Sequence, residues 1–190
     1  KDLINFLKRL DNNTPIKILG AGSNILVRDG GIRGVTISLV KSFSNILYYK
    51  NQKILAGAGV NCIKLSRESA SRSMVGLEFF SGIPGTVGGA IRMNAGAYGK
   101  QTSDILEKII TVTTNGKVKV YYKEELKMSY RKSSLNKNEI IIEAIFKCKK
   151  GKKNNIENNI KNLKKVREKT QPVKLKTSGS TFKNPIKVKA

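Results

Sequence analysis

Apolar residues recur along this chain with two different spacings, and each spacing predicts a different kind of element. Helical spacing, in which apolar side chains three or four positions apart share one face, appears in residues 2–10, 61–73 and 154–169. Asn61 is placed to cap the second of these helices. We expect the third, which is rich in lysine, to dock its apolar stripe on a sheet and to leave its lysines in solvent.

Short runs rich in β-branched and aromatic residues predict strands. Asn115-Gly116 separates two such runs, and this dipeptide strongly favours a two-residue hairpin turn. A second strand pair is predicted around Asn51. The predicted strands are residues 16–19, 25–27, 34–39, 46–49, 53–59, 109–114, 117–122 and 140–146. Helices and strands together indicate an α+β fold.

Composition narrows the possible partners and chemistry. The formal net charge of +24 over 190 residues suggests an anionic partner, such as a nucleic acid, a membrane surface or a phosphorylated ligand. The lysines occupy nearly every kind of polar position, however, and the few aromatic residues are not interleaved with them, so nucleic-acid binding is the weaker interpretation. The sequence contains no histidine, which excludes a histidine-based triad or metal site, and we predict no metal.

The cysteines and the hydropathy pattern indicate a compartment. Cys62 and Cys148 lie far apart in buried-looking segments, as reduced core cysteines do, which favours the cytoplasm. No apolar run reaches membrane-spanning length and no signal peptide is visible, so we expect no membrane partner. The chain begins with lysine and looks truncated, and the sequence does not indicate an oligomeric state.

Two glycine-rich segments carry the candidate chemistry. Residues 82–99 combine six glycines, a Pro-Gly turn and several apolar residues, which predicts a buried segment that faces a ligand. Residues 20–24, Gly-Ala-Gly-Ser-Asn, follow a predicted strand and could aim several backbone N–H groups into an anion nest, with Ser23 and Asn24 as side-chain donors. The pattern lacks the third glycine of a Rossmann fingerprint and the lysine of a Walker loop, and an ordinary turn is the alternative.

Four motifs, in order, resemble those of known flavoenzymes. Residues 19–27 resemble the pyrophosphate loop of FAD-binding domains related to vanillyl-alcohol oxidase. Residues 76–99 are more restrictive and resemble the UDP-N-acetylenolpyruvoylglucosamine reductase family. Tyr130-Arg131-Lys132-Ser133 resembles the Tyr-Arg-x-Ser segment of that family, and residues 178–185 resemble its Gly-Ser-x-Phe-Lys-Asn-Pro motif.

The resemblance implies a fold and a reaction. It implies a two-lobed FAD-binding fold of the PCMH type, with residues 1–44 and 45–172 as the two lobes and residues 173–190 as the start of a C-terminal substrate-binding domain. It also implies tightly bound FAD, NADPH as hydride donor, and reduction of UDP-N-acetylglucosamine enolpyruvate to UDP-N-acetylmuramate for peptidoglycan synthesis. The expected partner is therefore a UDP-sugar and not a nucleic acid.

The resemblance also assigns roles to residues. Arg131 matches the catalytic arginine, whose fixed charge suits a developing enolate-carboxylate, and Ser180 matches the proton donor. The positions that match substrate contacts are Tyr130, Lys183 and Asn184. The cofactor-binding positions are Gly20, Ala21, Gly22, Ser23, Asn24, Gly82, Ile83, Pro84, Gly85, Thr86, Gly88, Gly89, Asn94, Ala95, Gly96 and Ala97. A late catalytic glutamate of the family has no counterpart here, so we expect the chain alone to be inactive.

Two other functions stay open at this stage. The chain could be another FAD-dependent oxidoreductase of the same fold, which activity on the enolpyruvyl substrate would distinguish. It could also be a basic, non-enzymatic nucleic-acid-binding protein, which predicts strongly salt-dependent affinity for DNA or RNA and no bound flavin.

Overall fold

The computed structural model describes residues 1–171, and the architecture below is that of this part of the chain. The helices are α1 (Asp2–Arg9), α2 (Cys62–Ser71), α3 (Val87–Arg92) and α4 (Lys153–Thr170). The three helices predicted from apolar spacing are confirmed, and the Asn61 side chain caps α2 by accepting from the Lys64 N–H at 3.0 Å. The short α3 was not predicted, because it lies within the glycine-rich run where helix propensity is low.

Residues 1–171 contain eleven strands, and most of them follow the predicted runs. The strands are β1 (Ile16–Leu19), β2 (Val35–Ser38), β3 (Ile46–Tyr48), β4 (Lys53–Gly57), β5 (Met74–Val75), β6 (Gly96–Ala97), β7 (Lys100–Gln101), β8 (Leu106–Thr113), β9 (Val118–Tyr122), β10 (Glu139–Lys147) and β11 (Lys149–Lys150). The predicted strand at 25–27 is wrong. Those residues lie on the surface between β1 and β2, where Leu26 is 93% exposed and no described strand pairs with them.

The described residues form four sheets, of which two are the short pairs β5-β11 and β6-β7. Strands β1 and β2 form a small parallel pair, with Ile16 opposite Val35. The larger sheet is antiparallel in the order β3-β4-β10-β8-β9, and the hairpin predicted at Asn115-Gly116 joins β8 to β9. The change from one sheet to the other falls near the boundary expected at residue 44, although the domain limits themselves stay a prediction.

The core lies between one face of the large sheet and the layer formed by α2, α3 and the 3₁₀ helix Glu78–Gly82. Phe80 and Phe146 meet edge to face there, with ring centroids 5.9 Å apart. Cys62 and Cys148 are buried free thiols in the same core, as predicted. Burial raises the pKa of each thiol to about 12, and Glu78 adds to the increase at Cys148, so neither sulfur forms a thiolate near neutral pH.

Helix α4 docks on the layer of helices and not on the large sheet. It packs against the 3₁₀ helix Glu78–Gly82 and against α2, and its Ile156 is buried there. Near its C-terminal end, the Arg167 guanidinium donates to the Gly82 carbonyl. The helix therefore holds the first turn of the glycine-rich run in place. Within residues 1–171, no helix combines the length and the apolar character that crossing a membrane requires.

Candidate functional site

The loop of residues 20–24 leaves the end of β1 and lies against the start of α3. A Cβ built on Gly20 would fall 2.6 Å from Thr86 Oγ1, and one built on Gly85 would fall 3.3 Å from Ser23 Oγ. Gly22 has φ +74°, in the left-handed region that favours glycine. The two glycine-rich segments that the sequence indicated are therefore in direct contact, and a side chain at Gly20 would separate them.

Backbone N–H groups in the two segments differ in whether they have partners. At the start of α3, the Val87 and Gly88 N–H groups donate at 2.9 Å to carbonyls of the turn after β4, and the Gly89 N–H donates at 3.5 Å to Thr86 Oγ1. In contrast, the N–H groups of residues 21–24 donate to no acceptor within residues 1–171, and these residues are exposed. The loop, rather than the helix start, can thus offer N–H groups to an anionic ligand.

A cleft of about 130 Å³ opens where the loop, α3 and the large sheet meet. Its lining is Ile18, Leu19, Gly20, Leu39, Ala58, Thr86, Gly88, Gly89, Arg92, Glu139, Ile140 and Ile141. Four of these positions were predicted to bind the cofactor. The two charged residues of the lining, Arg92 and Glu139, were not: Arg92 lies within the motif of residues 76–99 but was given no role there, and Glu139 belongs to no motif.

Arg92 lines the cleft and is bound to backbone carbonyls. Its Nη1 donates to the carbonyls of Leu135 and Asn136 at 2.8 and 2.9 Å, and its Nη2 donates to the Glu139 carbonyl. Burial lowers the pKa of Arg92, and the negative charge of Glu139 partly opposes that shift. The planar guanidinium therefore joins the end of α3 to the turn before β10.

The Glu139 carboxylate is 3% exposed and accepts three hydrogen bonds. The donors are Thr111 Oγ1 at 2.7 Å, Lys119 Nζ at 2.8 Å and the Tyr121 hydroxyl at 2.9 Å. Burial alone would raise the pKa of Glu139, but the hydrogen bonds from Lys119, Thr111 and Tyr121 outweigh it, and the pKa lies below its ordinary value of 4.5. The carboxylate is consequently ionised at neutral pH.

Glu139 should make the fold sensitive to acid. Because its pKa is lower in the folded state, its contribution to stability is complete above about pH 4.5 and is lost as the pH falls through the folded-state pKa. We expect Glu139→Gln to lower the free energy of unfolding by about 2 kcal/mol at pH 7. Urea unfolding of both proteins from pH 7 to pH 3 checks this: the difference should shrink below pH 4.5. A difference that stays constant down to pH 3 would contradict the assignment.

Asn94 lies inside the glycine-rich run and is completely buried. Its Nδ2 donates to Gln101 Oε1 at 3.1 Å and to the Ser129 carbonyl at 3.0 Å, and its Oδ1 accepts from the Ser103 N–H at 3.0 Å. Its backbone φ is +39°, which asparagine tolerates better than most residues. The side chain thus binds protein groups on three sides, and its assignment as an FAD contact stays a prediction.

Tyr130 and Arg131 form the tip of a tight turn that reaches the glycine-rich run. Ser129 and Lys132 exchange backbone hydrogen bonds of 3.0 and 3.1 Å beneath the tip. Arg131 Nη2 donates to the Gly96 carbonyl at 3.1 Å, and the Arg131 guanidinium carbon lies 5.0 Å from the centre of the Tyr130 ring. The structure therefore brings the predicted catalytic arginine to a segment predicted to bind the cofactor, 35 positions earlier in the chain.

The remaining predicted positions fall into two groups. Ile83, Pro84, Ala95 and Ala97 lie on the same continuous segment, on either side of α3. Ser180, Lys183 and Asn184, together with the whole fourth motif and the predicted substrate domain, lie outside the described residues.

Comparison with known proteins identifies the class. A family model described as the FAD binding domain matches residues 1–121. The chain belongs to this FAD-binding domain family, and the predicted α+β fold and FAD as cofactor are confirmed. A solved alkyldihydroxyacetonephosphate synthase shares the fold alone, at 18% identity and a TM-score of 0.55 over 78% of this chain and 32% of that one.

More similar relatives are reductases, which confirms the resemblance noted in the sequence. UDP-N-acetylenolpyruvoylglucosamine reductase from Rickettsia canadensis is 43% identical over 97% of this chain and 62% of its own length. The enzyme of the same name from Pelagibacter ubique is 45% identical over 97% of this chain and 61% of its length. The crystal structure of the reductase from Thermus caldophilus has a TM-score of 0.82 and 36% identity, over 96% of this chain and 65% of that one. The chain thus spans about three fifths of the length of these curated relatives.

Proposed function

We propose that this chain is the FAD-binding part of a reductase that uses NADPH to reduce UDP-N-acetylglucosamine enolpyruvate to UDP-N-acetylmuramate, a cytoplasmic step in peptidoglycan precursor synthesis. The observation that carries the proposal is the hydrogen bond between Arg131 and Gly96, which joins the catalytic-arginine motif to the glycine-rich run. The names of the similar reductases support the substrate. Since the relatives are longer, the complete activity is proposed for the full-length protein.

The described residues fit FAD. The exposed N–H groups of residues 21–24 would hold the pyrophosphate, because a nest of backbone donors needs no counter-charge of its own. The adjoining cleft is largely apolar, as a site for a nucleotide or a flavin requires. The excess of lysine and arginine would also attract the phosphates of FAD, NADPH and the UDP-sugar.

Bound FAD would supply hydride transfer, from NADPH to the enolpyruvyl double bond. Arg131 would stabilise the negative charge that develops toward the substrate carboxylate, which a permanently ionised guanidinium can do without a proton transfer. Tyr130, about half exposed beside it, would contact the substrate. Ser180 would deliver the proton.

A spectrum of the flavin tests the cofactor site. We expect added FAD to give a perturbed visible band with the chain and to bind at least about tenfold more weakly to Gly20→Ala. The added methyl group would lie 2.6 Å from Thr86 Oγ1, and Thr86 cannot turn away without losing its bond to the Gly89 N–H. Gly30→Ala is the matched control, because a Cβ there meets nothing within 4 Å.

The outcomes separate the candidate functions. Equal affinity of both variants would place the FAD elsewhere. No flavin band with either the chain or the full-length protein, together with salt-dependent binding of DNA or RNA, would favour a nucleic-acid-binding protein. A full-length flavoprotein that NADPH reduces but that the enolpyruvyl substrate does not reoxidise would be a different FAD-dependent oxidoreductase.

A further inference from the structure

The turn that carries Arg131 is held by the glycine-rich run through side chains that no motif assigns to catalysis. Asn94 Nδ2 donates to the Ser129 carbonyl at 3.0 Å, directly beneath the tip. Ser133 Oγ donates to the Arg92 carbonyl at 3.0 Å on the other side of the tip. The Arg92 side chain then binds the backbone of the following turn. These bonds join segments 35 to 47 positions apart in the chain.

The turn needs external support. Arg131 has φ +53° and Lys127 has φ +39°, in the left-handed region that residues with side chains adopt only when their surroundings hold them there. Beneath the tip the described backbone hydrogen bonds are the pair between Ser129 and Lys132 and, at the base of the connection, one bond of 2.8 Å from the Ser134 N–H to the Leu126 carbonyl. A two-residue turn with so few contacts of its own takes its position from the groups that hold its base.

We propose that Asn94 and Ser133 are positioning residues, which place the Arg131 guanidinium over the Gly96 backbone and thereby over the cofactor site. The inference rests on the proposed function of Arg131. Asn94 is suited to this role because it is completely buried and both its N–H donors and its oxygen are engaged, so its amide has one orientation. Ser133 acts at the opposite end of the same turn.

The test uses the full-length flavoprotein and measures its two half-reactions separately. We expect Asn94→Asp, which keeps the size but removes both N–H donors, to slow reoxidation of the reduced flavin by the enolpyruvyl substrate about 10²-fold, as a displacement of about 1 Å can do. Reduction of the flavin by NADPH should slow much less than reoxidation in Asn94→Asp, and it should change less than about twofold in Ser133→Ala, because Ser133 is not a predicted cofactor contact. Ser133→Ala should slow reoxidation several-fold.

Ser134→Ala is the matched control. Its hydroxyl bonds to the Glu125 carbonyl within the same connection and does not reach the glycine-rich run, so both half-reactions should keep their rates. In an Arg131→Ala background, Asn94→Asp should cause no further loss, because its effect passes through Arg131. Equal slowing of both half-reactions, loss of the flavin from both variants, or a further loss in that background would overturn the proposal.

Amide hydrogen exchange separates this inference from the proposed function. Exchange at Ser129 and Lys132 should accelerate in Asn94→Asp and Ser133→Ala but not in Ser134→Ala, whatever the substrate proves to be. If the wild-type flavoprotein does not reduce the enolpyruvyl substrate but the exchange pattern is seen, the proposed function is wrong, whereas the contacts that position the turn are confirmed. Unchanged exchange in all three variants overturns the inference.

Discussion

Arg131→Ala in the full-length flavoprotein should lower the rate of reoxidation of the reduced flavin by the enolpyruvyl substrate by about 10²- to 10³-fold. The guanidinium donates to the Gly96 carbonyl at 3.1 Å, and in the proposed reaction its removal would leave the developing negative charge of the substrate without a cation. Stopped-flow absorbance of the flavin measures the rate directly. Arg131→Lys should recover only part of it, because an ammonium cannot reproduce the planar pair of donors.

The control for this substitution is another arginine stacked on a tyrosine. The Arg72 guanidinium carbon lies 4.2 Å from the centre of the Tyr48 ring, outside the residues that line the cleft. Arg72→Ala should leave the rate of flavin reoxidation unchanged. If Arg131→Ala behaves like Arg72→Ala, Arg131 has no catalytic role in this protein.

Gly34→Ala should have the largest effect on stability and should also abolish FAD binding. Gly34 has φ +85°, and a Cβ built there would lie 2.1 Å from the carbonyl oxygen of Pro15, the same oxygen that accepts from the Val35 N–H. A backbone atom cannot move aside as a side chain can, so β2 must separate from β1. We expect a loss of about 3 kcal/mol or more, and a melting temperature lower by about 10 °C.

Gly31→Ala is the control that distinguishes the strain of a positive φ from the steric clash of an added Cβ. Gly31 has a similar φ, +72°, but a Cβ there meets nothing within 4 Å. Its substitution should cost about 1 kcal/mol and leave the flavin spectrum intact. FAD binding should be lost only in Gly34→Ala, because β1 leads directly into the loop of residues 20–24. Equal destabilisation of the two variants would show that the positive φ alone, and not the contact with the Pro15 carbonyl, causes the loss of stability.

Much of the fold could be predicted because it depends on local patterns. Helical spacing in residues 2–10 and 154–169 and the Asn115-Gly116 turn gave correct elements, since each is decided by neighbours within a few positions. Residues 25–27 show the limit of this reasoning. Their composition suits a strand, but a strand exists only where a partner strand is available, and β1 pairs with β2 instead.

The sequence by itself determined the class of element along most of the chain, the two glycine-rich segments and the motifs that resemble a reductase. Only the tertiary structure decided which groups meet there. The fold pairs the N–H groups at the start of α3 with backbone carbonyls and leaves the N–H groups of residues 21–24 available to a ligand. The fold also brings Arg92 and Glu139 into the lining of the cleft. It also places Arg131 on Gly96. The physical reason is that these contacts join residues far apart in the chain, 47 positions in the case of Arg92 and Glu139, and spacing along the chain carries no information about such pairs.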